Sequence, residues 1–296
     1  MNSLEQSLQH AIPLINQRLE ELLSPSDEPL LTTIHEAMLY SVRAGGKRLR
    51  PLLCLLTAGA LRQDESRVLD IACAIEMIHT YSLIHDDLPA LDNDDLRRGK
   101  PTNHRVYGEA MAILAGDALL NRAFEVLCQL PLAPDLVIRV IAEIASSSGT
   151  AGMIGGQVVD IQSEGKSIDM PTMRYIHENK TGRIIRSCLV SSAIACQATA
   201  EQIELFDRYG YNIGLAFQIA DDILDIEGDE ATMGKPVGSD LQNRKSTWPA
   251  LVGMNGARKA MQEMIDEANR ALDPLGDSPA VTALRDLARF IIERKN

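Results

Sequence analysis

Two groups of aspartates carry the strongest chemical signal in this chain. They are Asp86-Asp87-Leu88-Pro89-Ala90-Leu91-Asp92 and Asp221-Asp222-Ile223-Leu224-Asp225. Each closes a long apolar stretch, where adjacent carboxylates repel and lose hydration on burial. Two such groups, far apart in sequence, point to divalent cations that also hold something anionic. Asp221 and Asp225 are four residues apart, so a helix puts both on one face, able to share a hard cation and its waters. Asp222 points elsewhere, as a supporting or solvent-facing group. Asp86 and Asp92 are six apart with Pro89 between them, and ideal helical angles do not place Asp92. Taken alone, either group also reads as a solvated acidic helix end or loop. A calcium EF-hand is excluded, because Leu96-Arg97 follows Asp95 where a glycine is required.

Basic residues bracket the acids. Gly45-Gly46-Lys47-Arg48-Leu49-Arg50-Pro51 lies upstream and Arg97-Arg98 follows the first group. Lys180-Thr181-Gly182-Arg183 lies mid-chain, and Lys235 and Lys245 follow the second group. Neither Gly45-Gly46-Lys47-Arg48 nor Gly234-Lys235-Pro236 fits a P-loop. Any one of these cations reads as a surface charge. Together with paired carboxylates they describe a diphosphate site, with magnesium on some oxygens and Arg or Lys on the rest. His79 shares a helical face with Asp86 but lacks His or Cys partners at metal-ligand spacing. It is a candidate donor to a phosphate oxygen. No Ser, Cys or His arrangement suggests a covalent nucleophile.

The elements that must position these groups are helices. Ile71, Ala72, Ala74, Ile75 and Ile78 form one apolar surface before the first group. Leu205, Tyr209, Ile213, Ala216, Phe217 and Ala220 form another before the second. Alternating strand patterns with hairpin turns are missing. The pattern predicts an all-α bundle of roughly ten or more helices, counted from ordinary helix and loop lengths. Breaks are expected at Ser24–Pro29, Gly59–Asp64, Leu130–Pro134, Ser163–Lys166, Gly228–Ser239 and Asp273–Gly276. All are short, so one domain over residues 1–296 is expected. Asp169 with Pro171 should start a helix. The small-residue run from Ser146 to Gly152, then Gly155-Gly156, would allow close helix packing or leave room for a bound chain.

With 296 residues, 45% hydrophobic, the chain can bury a large core. A net charge of −12 argues against nonspecific nucleic-acid binding. Cys54, Cys73, Cys128, Cys188 and Cys196 are odd in number and lack a CxxC, so they read as buried reduced thiols. No basic leader with an apolar core begins the sequence, and no membrane span is expected. A cytoplasmic protein is the expectation.

In this order the motifs resemble those of the trans-isoprenyl diphosphate synthases, closest to the bacterial farnesyl type. The resemblance adds Tyr81-Ser82-Leu83-Ile84-His85 before the first aspartates, Gly155-Gly156-Gln157, Phe217-Gln218 before the second group, and Lys245-Ser246-Thr247. It covers nearly the whole chain and implies a single helical bundle of isoprenoid-synthase type around a central cavity. It also implies three magnesium ions, replaceable by manganese, on Asp86, Asp92 and Asp221, with Asp222 and Asp225 in support. Arg97, Lys180, Lys235 and Lys245 would clamp an allylic diphosphate, with Thr181 and Gln218 beside the cation that forms. Gly46, Lys47, Arg50, His79 and Arg98 would hold isopentenyl diphosphate, and Arg294-Lys295 would close over that second site. Tyr81 and Ser82 would form the floor of the tail pocket, where a bulky Tyr81 and the Leu88-Pro89 insertion suit a fifteen-carbon product. A homodimer is implied. Trp248 stands where the family commonly has tyrosine. The alternatives are a geranylgeranyl synthase of the same family, a terpene cyclase, or a non-catalytic helical subunit.

Overall fold

The computed structural model describes residues 3–24, 28–227 and 246–293. Among them thirteen α-helices account for nearly all regular structure. They are α1 (Ser3–Leu22), α2 (Thr32–Val42), α3 (Leu49–Ala60), α4 (Ser66–Asp86), α5 (Asn103–Tyr107), α6 (Glu109–Cys128) and α7 (Pro134–Ser148). Then follow α8 (Met153–Ser163), α9 (Met170–Ile176), a π-helix (His177–Gly182), α10 (Arg183–Ala195), α11 (Ala200–Glu227), α12 (Trp248–Leu272) and α13 (Pro279–Glu293). The one departure from the all-helical expectation is a ladder of two-residue strands, β1 (Leu96–Arg97) and β2 (Lys100–Pro101), paired antiparallel. It turns the chain back after the first aspartates, a loop too short for alternation to reveal.

Two helices lie at the centre. Residues Ile71–Ile78 of α4 and Ser187–Ala195 of α10 are buried without interruption. A helix apolar on every side has to be surrounded. α10 accordingly packs on α3, α4, α7 and α11, while α6 lies along α4 and α12 along α11. One connected apolar core runs from Leu4 to Ile291. Tyr209 anchors its far side, its buried hydroxyl donating to the Leu284 carbonyl at 2.7 Å.

The turn chemistry behaves as the residues dictate. Asp169 caps α9 by accepting from the Thr172 N–H at 3.0 Å, with Pro171 in the first turn. The Ser146–Gly152 run separates α7 from α8 at Gly149. Gly156 then allows close approach: a Cβ there would lie 2.7 Å from the Lys180 Cα. The glycine run therefore serves packing, bringing α8 against the backbone of the π-helix.

One expectation needs correction. Cys128 is exposed, whereas the other four cysteines are buried. Ser66–Asp86 and Pro134–Ser163 are long and apolar enough to cross a membrane by length and composition. The first owes this to its central place, with 67% of its apolar window buried. The second is the α7–α8 pair, broken at Gly149.

Candidate active site

Helix ends decide where charge gathers. Asp86 is the last residue of α4, and Asp221, Asp222 and Asp225 occupy the last two turns of α11. A helix C-terminus carries partial negative charge, so carboxylates placed there are disfavoured unless a cation joins them. The basic Gly45–Arg50 segment instead enters the N-terminus of α3, where anions are favoured. The fold thus builds a cation-seeking region and an anion-seeking one.

Gly46, Lys47, Arg48, Leu49, Arg50, Glu76, His79 and Arg98 line one cavity of about 430 Å³. All five residues of the predicted isopentenyl diphosphate set are among them. Arg48 is spoken for: buried, it donates to Glu76 at 2.7 Å, to Asn16 at 3.0 Å and to the Val42 carbonyl at 2.7 Å. Its φ of 49° and that of Arg98, 54°, lie in the left-handed region, which costs a non-glycine residue about 1 kcal/mol or more. Gly46, at φ +123°, lets Arg98 lie flat across the backbone; a Cβ there would sit 2.6 Å from its Cζ. Arg98 also donates to the Gly45 carbonyl.

Arg50 donates to His79 Nε2 at 3.3 Å, which leaves the imidazole proton on Nδ1. Burial first, then the arginines around it, hold His79 well below its usual range, so it is neutral. The Arg50 Nε is buried without a hydrogen-bond partner. Lys47 lies over the Phe290 ring at 5.3 Å. The cavity therefore holds four cationic side chains, one carboxylate already committed to Arg48, and an orphaned guanidinium donor. That arrangement suits a multiply charged anion.

At the aspartate end, the Asp92 N–H donates to the Asp86 carbonyl at 2.8 Å, tying both residues into one turn. Burial, and after it Asp92 and Asp87, push the Asp86 carboxyl up to about 6, while Lys180 and Arg97 pull it down. Asp92 is exposed. Asp221 accepts from Gln218 Nε2 at 3.0 Å, and Asp225 is buried. Asp222 is turned inward: its Oδ2 accepts from the Trp248 N–H at 2.6 Å and lies 3.5 Å from His177 Nε2. The His177 and Trp248 rings stack 5.7 Å apart at 19°. Trp248 is thus a packing element that fixes the start of α12.

The donor set suits magnesium, being hard carboxylate oxygens at or beside helix C-termini. Among the described residues no three acidic, His or Cys side chains already form a metal cluster. A magnesium ion there would keep several waters and share phosphate oxygens, rather than sit in a protein cage.

Three partner residues have no counterpart in the sequence reading. Asp87, buried, accepts from Arg97 Nε at 2.7 Å. Asp160 on α8 accepts from Lys180 Nζ at 2.7 Å. Glu76 holds Arg48. The Asp86-Asp87 doublet hinted at the first, but nothing in the spacing marks the other two. Tyr81 is buried, and Ser82 Oγ donates to the His79 carbonyl at 2.9 Å. Thr181 lies half-buried within the π-helix. Lys235, Lys245, Arg294 and Lys295 lie outside the described residues.

A family profile described as polyprenyl synthetase matches residues 31–275. The chain belongs to the polyprenyl synthetase family. It is 47% identical over 273 residues to a farnesyl diphosphate synthase of Geobacillus stearothermophilus, covering 91% of each chain. It is 46% identical to a geranylgeranyl diphosphate synthase of Cyanophora paradoxa, covering 90% of this chain and 89% of the relative. A crystal structure of an FPP/GFPP synthase from Zymomonas mobilis superposes with a TM-score of 0.86 at 36% identity, covering 98% of both chains.

Proposed function

We infer that this polyprenyl synthetase is a farnesyl diphosphate synthase, condensing isopentenyl diphosphate with dimethylallyl or geranyl diphosphate. The observation that carries this reading is the basic cavity at the α3 N-terminus, lined by Gly46, Lys47, Arg50, His79 and Arg98. A second diphosphate site, distinct from the aspartates, is what a chain-elongating enzyme needs and a terpene cyclase does not.

Asp86, Asp92 and Asp221 would hold magnesium, with Asp222 and Asp225 in support. The bound ions supply charge neutralisation to a departing diphosphate. Arg97 and Lys180, with Lys235 and Lys245, hold the same diphosphate and stabilise it as the allylic carbon–oxygen bond breaks. The cation left behind is delocalised over the allyl group, beside Gln218 and the Thr181 backbone. The double bond of isopentenyl diphosphate attacks it head-to-tail, and a proton passes to the departing diphosphate. The protein positions both substrates and excludes water, which would quench the cation.

Similarity of 47% and 46% to synthases of different product length leaves the length to the pocket floor. Tyr81, bulky and buried below Asp86, supports the fifteen-carbon product. One connected core supports reading residues 1–296 as one domain. Exposed Ile113 and Leu114 on α6 and Ile154, Val158 and Ile161 on α8 support a homodimer. A cytoplasmic location belongs to the same proposal.

One incubation tests the activity. With magnesium, isopentenyl diphosphate and geranyl diphosphate, the purified chain should release diphosphate and form farnesyl diphosphate. A mainly twenty-carbon product would favour geranylgeranyl synthesis. Hydrocarbon from the allylic substrate alone would mean a cyclase, and no turnover a non-catalytic subunit.

A further inference from the structure

Tyr81 does not stand alone. Its ring meets His85, one turn on, edge to face, with centroids 5.6 Å apart at 83°. His85 in turn is fastened to α6 rather than to its own helix. Its Nε2 donates to the Ile113 carbonyl at 3.1 Å and lies 3.9 Å from Asp117 Oδ1. Only a protonated Nε2 can donate to a carbonyl, so this contact sets the ring's orientation. Gly116, between those two contacts, has no side chain, and a Cβ there would overlap the imidazole. The ring is therefore seated in a notch of α6, held at one edge by the backbone and pressed at the other against Tyr81.

We propose that His85, seated on α6 at Gly116 and Ile113, is a specificity-determining residue: it braces Tyr81 and thereby sets product length. This rests on the reading of Tyr81 as the pocket floor. A lone aromatic ring on a helix has staggered alternatives at χ1. Contact with a neighbouring ring stabilises one arrangement, enough to bias a rotamer population up to about tenfold. Without the brace the Tyr81 ring can swing aside and admit a longer tail. α6 thus sets product size through His85, although α6 carries no residue of the predicted substrate sites.

The test compares products from isopentenyl and geranyl diphosphates, separated by chain length, for His85→Ala, His85→Gln, Gly116→Ala and Tyr81→Ala. Tyr81→Ala removes the floor and should give products longer than fifteen carbons. His85→Ala should raise the share of twenty-carbon product about tenfold, the effect of about 1.4 kcal/mol between competing elongation and release steps. His85→Gln keeps an N–H donor and should stay near the parent distribution. Gly116→Ala unseats the same ring from the opposite wall and should lengthen products even if His85→Ala folds poorly. If Tyr81→Ala lengthens products while His85→Ala and Gly116→Ala retain fifteen-carbon product, the brace is overturned and the floor stands. If all variants retain fifteen-carbon product, the floor assignment is wrong and the brace falls with it.

Discussion

His177 shows how one side chain can tie stability to pH. It is buried, stacked on Trp248, with its Nδ1 lacking a partner. Burial holds it down at about 4, against an ordinary 6.5. As pH falls, the unfolded chain takes up this proton first, and the folded chain only near the lower value. The contribution is complete above about 6.5 and is lost between there and about 4, by roughly 3 kcal/mol in total. Urea unfolding at neutral and mildly acidic pH should show that decline, and His177→Phe should flatten it. An unchanged slope in the variant would assign the decline to other groups. Single residues also mark where sequence reading stops. Asp221 and Asp225 were legible from their helical spacing, and Arg50, His79 and Arg98 only through the ordered motifs of the family resemblance. Asp160 and Glu76 were not, because a lone acid reveals nothing of a cation 20 or 28 residues away.

The elements were legible to a similar degree, and for a similar reason. Period and punctuation disclosed α4, α9, α11 and most breaks, because burial and capping are local demands. The π-helix at His177–Gly182 was not legible, since its wider turn arises from the packing of α8, α10 and α11 around it. That packing makes a prediction. Gly156 lets α8 touch the Lys180 backbone, while Asp160, one turn later, holds the Lys180 ammonium. Gly156→Ala should displace the π-helix and with it Lys180 and Thr181. Misplacement of this size can cost about a hundredfold in turnover. Steady-state kinetics should find the loss mainly in kcat, with binding at the α3 cavity spared. A loss confined to KM for isopentenyl diphosphate would contradict the proposed role of Lys180.

For the whole molecule, α6, α7 and α8 each expose large apolar side chains. Leu114, Ile138 and Val158 are exposed there, and the net charge of −12 does nothing to hide them. A second copy seated on these helices would bury them. Light scattering should give twice the chain mass, and Leu114→Glu with Val158→Glu should shift the protein towards monomer. A monomeric parent chain would remove the dimer from the proposal. Because α6 also seats His85, such variants should be checked for altered product length as well as mass.

α4 has one more consequence. His79, Tyr81, Ser82, His85 and Asp86 all stand on a single uninterrupted helix. Such a helix is a ruler: its marks are 1.5 Å apart along the axis and about 100° apart around it. With Tyr81 as the proposed pocket floor, its distance from the reacting carbon would be engraved in that scale. Exchanging a residue repaints one mark and leaves the others readable. Inserting a residue between Tyr81 and Asp86 would rotate every earlier mark away from the aspartates. On that proposal, product size would be free to drift by substitution, while the spacing itself is locked.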